Sequence, residues 1–230
     1  RNGDRVYKSY FFLEGSWGQQ PFALAGEAAS HAALAAVQGL AGYTQTRSLA
    51  GYNGEQIDAG AQAPYVGVAE LWFASPDTAL QSVQHAQALA PLLADGVNVG
   101  PIVTGRARTV MRLPAHLLQS HIKGVFPFRR KTGMAVDEFQ QYWWLKHGPI
   151  AALTEQAVYY LQCHPLPETY AVGKPPYDGI TELHWPDVDA ARAAMASRQM
   201  REDQSNDAKN FADSDSVVLF LAEEEIVMPA

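Results

Sequence analysis

The sequence lacks the features that would tie it to an oxidising compartment or to a membrane. It contains one cysteine, Cys163, so no internal disulfide can form. No apolar run reaches the roughly 18–20 residues of a membrane span, and the first residues form no apolar signal segment. The chain starts at Arg1 and not at methionine, which leaves open what precedes it. We expect a cytoplasmic protein.

Charge and motifs exclude further classes. A formal net charge of −7 argues against a nucleic-acid backbone or an anionic membrane surface as the main partner. The sequence has no His-Glu-x-x-His, no Cys-x-x-Cys, no phosphate-cradling glycine loop and no Gly-x-Ser-x-Gly elbow. The seven histidines show no convincing metal-ligand spacing. We therefore predict neither a metal nor a nucleotide cofactor.

What the sequence does contain is an internal repeat. The segment 64–73, which begins Pro-Tyr and contains Glu-Leu, returns as 176–185, and the segment 43–49 returns as 160–166. A histidine follows the same order, since His31 and His147 each lie towards the end of a helical stretch. Three matches in one order, each shifted by about 115 residues, indicate a duplicated unit of half the chain.

Each half has the pattern of a ferredoxin-like βαββαβ unit, in which an antiparallel sheet has both helices on one face. We predict an α+β fold with one unit at residues 1–113, a linker at 114–121 and a second unit at 122–230. The bare sheet faces must be covered, so the two sheets should pack into one pseudo-dimeric α/β barrel. The expected assembly is a monomer with this internal pseudo-dimer, or a homodimer.

His147 is the most conspicuous candidate for chemistry. Phe139, Trp143, His147 and Ile150 share one helical face. Because a proline disfavours helix in the residue before it, Pro149 predicts a break or kink at His147. The histidine could cap carbonyls or fill a core gap, or it could titrate near neutrality as an acid or base.

Alternation along the strands identifies two further polar faces. Tyr160, Gln162 and His164 share a face of one strand. The first half has Tyr43, Gln45 and Arg47 in the same places. Such side chains could hydrogen-bond each other where the two sheets meet, or they could hold a ligand.

The next strand places Glu182 beside Ile180 and His184, on the face opposite Leu183 and Trp185. Glu70 is its counterpart in the first half. We expect both glutamates to face the sister sheet. There they could pair with Arg47 and His164, or act as bases.

The second half resembles the EthD-type proteins of the dimeric α/β-barrel superfamily, from about Ile122 to Val227. The resemblance is based on four segments that occur in order, namely Lys123-Gly124-Val125-Phe126, Glu138 to Trp143 followed by Lys146-His147-Gly148-Pro149, Tyr160 to His164, and Tyr177 to Leu183. The first half is a weaker copy that keeps His31 but lacks His-Gly-Pro. The resemblance implies two ferredoxin-like sheets paired into a barrel.

The same resemblance implies small cyclic or aromatic substrates, bound between sheet and helices, and a pocket role for His147. Relatives include isomerases, cofactor-free monooxygenases and polyketide cyclases. A cysteine that serves one isomerase is replaced here by Leu183, and by Leu71 in the first half, so the same isomerisation by the same residues is not expected.

Our first functional hypothesis is a cofactor-free isomerase, lyase or dehydratase with His147 as acid/base and Tyr160 or His164 as its partner. Its apolar wall would be formed by Phe126, Phe128, Trp143 and Phe211, and the substrate site would also include Thr181 and Leu183. The alternatives are a cofactor-independent monooxygenase acting on a phenol and a non-catalytic binding protein. We expect one competent pocket, in the second half, with His31 marking only its degenerate equivalent.

Overall fold

The computed structural model describes residues 7–24, 26–114 and 122–228. Ten strands lie in these ranges: β1 Tyr7–Glu14, β2 Leu40–Tyr52, β3 Ile57–Asp58, β4 Gly67–Phe73, β5 Asn98–Arg112, β6 Ile122–Arg130, β7 Tyr159–Pro165, β8 Gly179–Trp185, β9 Ala212–Asp213 and β10 Phe220–Met228. The α-helices are α1 Glu27–Ala35, α2 Pro76–Ala79, α3 Ser82–Leu89, α4 Val136–Tyr142, α5 Gly148–Ala151, α6 Pro167–Ala171, α7 Val188–Ala196 and α8 Ser205–Ala208. No helix in the described ranges is long and apolar enough to cross a membrane.

Eight of the strands form a closed antiparallel barrel. Neighbouring strands follow the order β10-β2-β4-β1-β5-β7-β8-β6, and β6 returns to pair with β10. The short strands β3 and β9 pair with β2 and β6 outside this ring. The predicted α+β class with a barrel is therefore confirmed.

The two halves of the barrel meet at two places. Residues 7–112 supply β2-β4-β1-β5 in spatial order, and residues 122–228 supply β7-β8-β6-β10. The two sets join where β5 pairs with β7 and where β10 pairs with β2, which we call the two junctions. Only Pro114 of the predicted 114–121 linker lies within the described residues.

Several element boundaries differ from those that local sequence patterns predict. The region 50–63, expected to be a loop, contains the end of β2 and all of β3. Strand β5 begins at Asn98 and not near Ala107. The helix predicted from Ser75 to about Leu93 is divided into α2, α3 and a 3₁₀ turn at Ala90–Leu92. In each case pairing or packing with distant residues decided the boundary, which local propensity does not report.

The barrel interior is filled by alternating side chains from its strands. One buried cluster draws Phe12 from β1, Val68 from β4, Cys163 from β7 and Phe220 from β10, and it contains no helix residue. The other clusters combine the opposite strand faces with helices. One face of each strand is therefore buried inside the barrel and the other packs beneath the helices.

A buried ion network crosses the same interior. The Lys8 ammonium lies 2.7 Å from Glu70 and 2.8 Å from Glu182. The Lys123 ammonium lies 2.5 Å from Glu70, 3.0 Å from Glu182 and 2.9 Å from Glu224. Both lysines thus bind glutamates from both halves. Of the five side chains in the network, all except Glu224 are at most 3% exposed.

The network contains two cations and three carboxylates, and its carboxyl groups have separated pKa values. Burial raises the pKa of Glu70, against the attraction of Lys123 and Lys8. Burial would also raise the pKa of Glu182, but the same two lysines hold it well below its usual range. The pKa values of the two inner carboxyl groups are therefore shifted in opposite directions within one network.

The prediction that Glu70 and Glu182 lie on the inner faces of their strands is correct, but their expected partners are not. Arg47 binds Glu223 at the surface, at 2.8 Å. His164 lies on the outer face of β7, where it bonds Gln162. Lys8 and Lys123 pair with the glutamates instead, because a buried carboxylate needs a cation nearby. Their strands, β1 and β6, run beside the strands that carry Glu70 and Glu182.

We predict that Lys123→Met destabilises the fold by about 3–5 kcal/mol, because it leaves buried carboxylates without their cation. Urea denaturation followed by circular dichroism measures the change. Lys146→Met, at an exposed position, is the matched control and should change stability by less than about 0.5 kcal/mol. Equal stability of the two variants would contradict the structural role of the network.

Candidate functional site

The segment around His147 stays helical but changes its winding. Helix α4 leads into a π-helical turn at Trp143–His147, and α5 continues directly from Gly148. Of the predicted break or kink at His147, the break does not occur, but the winding of the helix does change at this residue. A π turn widens the helix. We attribute the uninterrupted helix to this widening, because it leaves room for the ring of Pro149, which also lacks a backbone N–H donor.

The π turn brings His147 to an acidic partner that sequence patterns did not identify. Its Nδ1 lies 2.8 Å from Oδ2 of Asp207 on α8. The other carboxylate oxygen of Asp207 accepts a hydrogen bond of 2.8 Å from the Tyr142 hydroxyl. Asn210 donates to the same hydroxyl at 3.0 Å. The carboxylate of Asp207 is thus held between His147 and Tyr142.

These contacts fix the protonation pattern of the imidazole. Burial lowers the pKa of His147, against the hydrogen bond and charge of Asp207, so the neutral ring predominates at pH 7. Because a carboxylate only accepts, Nδ1 carries the proton and Nε2 is the basic nitrogen. No described residue forms a hydrogen bond with Nε2. This arrangement of a base with an orienting carboxylate is suited to moving a proton.

The predicted apolar wall is a packed aromatic cluster and not an open surface. Phe128 meets Phe139, Trp143 and Phe211 edge-on, with ring centroids 5.0–6.0 Å apart. All four are at most 5% exposed. Phe211 also lies 4.7 Å from the His147 ring. The cluster therefore supports the histidine from beneath, and its rings fill the space expected for a ligand.

Tyr160 and His164 are linked to each other but not to His147. Gln162 donates to the Tyr160 hydroxyl at 2.7 Å and to the Trp143 carbonyl at 3.0 Å. Its oxygen lies 2.9 Å from Nε2 of His164. These residues do bond one another, as one alternative expected, and they do so on the outer face of β7 beneath the helical segment. Burial raises the pKa of Tyr160, which makes it a poor proton carrier at neutral pH.

The remaining predicted residues are distributed around this region. Phe126 and Leu183 pack in the core cluster on the helix side of the second half. Thr181 is the strand partner of Gln162. His31 is exposed in the middle of α1, and it contacts none of the other predicted site residues in the described structure.

An open cavity of about 560 Å³ lies at the junction where β10 pairs with β2. Its lining residues are Gln20, Phe22, Gln45, Arg47, Glu223, Glu224, Glu225 and Ile226. None of the predicted site residues lines it. In the described ranges, no group of three or more His, Cys, Asp or Glu side chains is placed to hold a metal ion.

The comparison with protein families concerns the second half of the chain. The EthD domain model matches residues 131–215, which span α4, the π turn with His147, β7, β8 and Asp207. This segment is similar to the EthD domain. No curated protein sequence matches the chain.

Two solved structures are similar in fold over nearly the whole chain. An anthrone oxidase-like protein is 9% identical, with 98% of this chain and 94% of that chain covered at a TM-score of 0.54. A chlorite dismutase from Candidatus Nitrospira defluvii is 13% identical, with 95% and 91% covered at a TM-score of 0.50. An EthD family protein from Bacillus halodurans is 16% identical and covers 45% of this chain and 98% of its own, at a TM-score of 0.37. At these identities the likeness concerns the fold alone.

We predict a pH-dependent stability that depends on His164. Burial and the charges of Arg108 and Arg106 lower the pKa of His164 to about 3, against about 6.5 in an unfolded chain. Between these values the unfolded state binds the extra proton, so stability falls as the pH falls from 6.5. The contribution is about 1.4 kcal/mol per pH unit below 6.

Urea denaturation at pH 7.0, 6.0 and 5.0 tests this dependence. His164→Gln should show a flatter decline than the wild type, and His31→Gln, at an exposed position, should follow the wild type. A His164→Gln protein with the wild-type decline would contradict the prediction.

Proposed function

We propose that the protein is an enzyme that transfers a proton on a small cyclic or aromatic substrate, with His147 as the acid/base. The observation that supports this proposal most strongly is the 2.8 Å contact between His147 Nδ1 and Asp207, which directs the basic nitrogen away from the carboxylate. Isomerases, lyases and dehydratases of activated carbonyl compounds need such a group. A positioned acid/base contributes about 10²–10⁴-fold to the rate.

In this mechanism Nε2 of His147 removes a proton from the substrate, and the ring becomes an imidazolium. Asp207 stabilises that cation through Nδ1–H, and the Tyr142 hydroxyl keeps the carboxylate oriented. The imidazolium then returns the proton to another atom of the substrate or to its leaving group. Phe211 covers one side of the ring at 4.7 Å and excludes water there.

A cofactor-independent monooxygenase would begin with the same step, since its base converts a phenol into a phenolate that reacts with oxygen. No contact in the described residues favours that chemistry over a simple proton transfer. The packed aromatic cluster is also compatible with a non-catalytic binding protein. Measurements of proton exchange and of oxygen consumption separate these three functions.

We also infer that the barrel consists of two ferredoxin-like units in tandem. Numbering the four long strands of each half in chain order gives the same spatial order, 2-3-1-4, in both halves. The repeated tyrosines Tyr65 and Tyr177 support the inference, because their hydroxyl groups meet at 2.5 Å across the barrel. The units would correspond to the predicted 1–113 and 122–230.

The decisive experiment follows deuterium uptake from D₂O into a panel of cyclic ketones, lactones and phenols by mass spectrometry. For the substrate that exchanges, His147→Gln should lower the exchange rate by about 10²–10⁴-fold with an unchanged melting temperature. Asp207→Asn should also slow exchange, because an amide no longer fixes which ring nitrogen is protonated.

His31→Gln is the matched control and should exchange at the wild-type rate. An oxygen electrode, run on the same panel, reports a monooxygenase. Full activity of a folded His147→Gln protein would reject His147 as the acid/base, and a wild type that binds members of the panel without exchange or oxygen uptake would favour a binding protein.

A further inference from the structure

The junction of β5 and β7 carries two arginines without an acidic partner. Arg106 lies opposite His164 and Arg108 opposite Gln162, on the outer face that the EthD helices cover. Neither guanidinium forms a hydrogen bond or an ion pair within residues 7–24, 26–114 and 122–228. Arg108 lies over the ring of Trp144, 5.1 Å from its centroid. Arg106 is exposed, whereas Arg108 is half-buried.

The other junction has the opposite charge at the same positions. There Glu223 lies opposite Arg47 and Glu225 opposite Gln45, and the Arg47–Glu223 pair closes at 2.8 Å. The cationic pair is therefore not a general requirement of barrel closure. It is specific to the junction next to the EthD domain's helical segment.

His164, between these arginines and Trp143, has a tautomer that its neighbours fix. Gln162 must turn its amide nitrogen to the Trp143 carbonyl, so its oxygen faces Nε2 of His164. Nε2 therefore carries the proton and Nδ1 is a bare acceptor. Nδ1 is buried and has no hydrogen-bond partner, and His164 as a whole is 2% exposed. Such an unsatisfied acceptor costs free energy that a donor from a ligand would recover.

We propose that Arg106, Arg108 and His164 form the subsite that binds the substrate of this enzyme as a small aromatic acid bearing a hydroxyl group. The carboxylate pairs with the two guanidinium groups, whose planar forks match its geometry. The hydroxyl donates to Nδ1 of His164. This substrate class rests on the proposed function, whereas the binding itself is measured without turnover.

Entry to the subsite requires two side chains to move, because Nδ1 is closed to solvent. Trp144 is only partly buried, and its ring meets that of His164 edge-on at 6.4 Å. Arg108 already lies on its face. The ligand enters as Trp144 and Arg108 turn outward, and its ring then takes the place of the indole beside His164.

Isothermal titration with 2-hydroxybenzoate, benzoate and benzyl alcohol tests the subsite. The wild type should bind 2-hydroxybenzoate most tightly, benzoate less tightly and benzyl alcohol weakest. The double variant Arg106→Gln, Arg108→Gln should bind both acids about 10–100-fold more weakly, the range expected for lost charged hydrogen bonds. His164→Gln should bind the two acids equally, because the acceptor for the hydroxyl is gone.

Arg112→Gln is the control, because Arg112 is an exposed arginine on the same strand. It lies opposite Tyr159, beyond an irregularity in the strand pairing, and not opposite His164 or Gln162. Arg112→Gln should bind both acids as the wild type does. Equal loss in Arg112→Gln, or unchanged binding in the folded double variant, would overturn the subsite. The subsite is judged by titration of the arginine and His164 variants, and the acid/base by proton exchange in His147→Gln, so a failure of the subsite and a failure of the proposed acid/base give different results.

Discussion

The buried ions of Lys8 and Lys123 are the constraint on which the closed barrel depends. Each ammonium contacts a glutamate of its own half and one of the other half, at 2.5–3.0 Å. Desolvated charges of this kind add little net stability, but removing one partner leaves a buried charge and is costly. The network therefore favours one relative placement of the halves, because a shifted register would separate carboxylates from their ammonium groups.

The barrel could be predicted because the internal repeat and the alternation of side chains along each strand can both be read directly from the order of residues. Ile180, Glu182 and His184 were correctly assigned to one inner face by the period of two. The partners of Glu182 were not predictable, since Lys8 lies 174 residues away and a lysine in a strand normally indicates a solvent-facing position. Alternation shows which residues share a face, but it does not show which face is enclosed. The polar face of β7, which carries Tyr160, Gln162 and His164, lies beneath the helices and not inside the barrel.

The site was predicted in part for the same reason. His147 was identified from its helical face and from the His-Gly-Pro resemblance, yet its orientation depends on a π turn where the sequence pattern predicted a break. Asp207 lies 60 residues further along the chain, and no local motif connects the two. Of the aromatic residues expected to form a pocket wall, Phe128, Trp143 and Phe211 lie together, whereas Phe126 packs in another cluster. Their volumes fill the available space, and packing density is a property that spacing does not encode.

The two junctions have equivalent strand pairing but side chains of opposite charge. Both place an outward pair of charged residues on the last long strand of one half, opposite the polar face of the other half. At one junction the pair is Glu223 and Glu225 beside an open cavity. At the other it is Arg106 and Arg108 beside Trp143 and the EthD histidine. A ligand that suits one junction by charge is repelled by the other, so the register of the barrel can be preserved while only one junction accepts an anion.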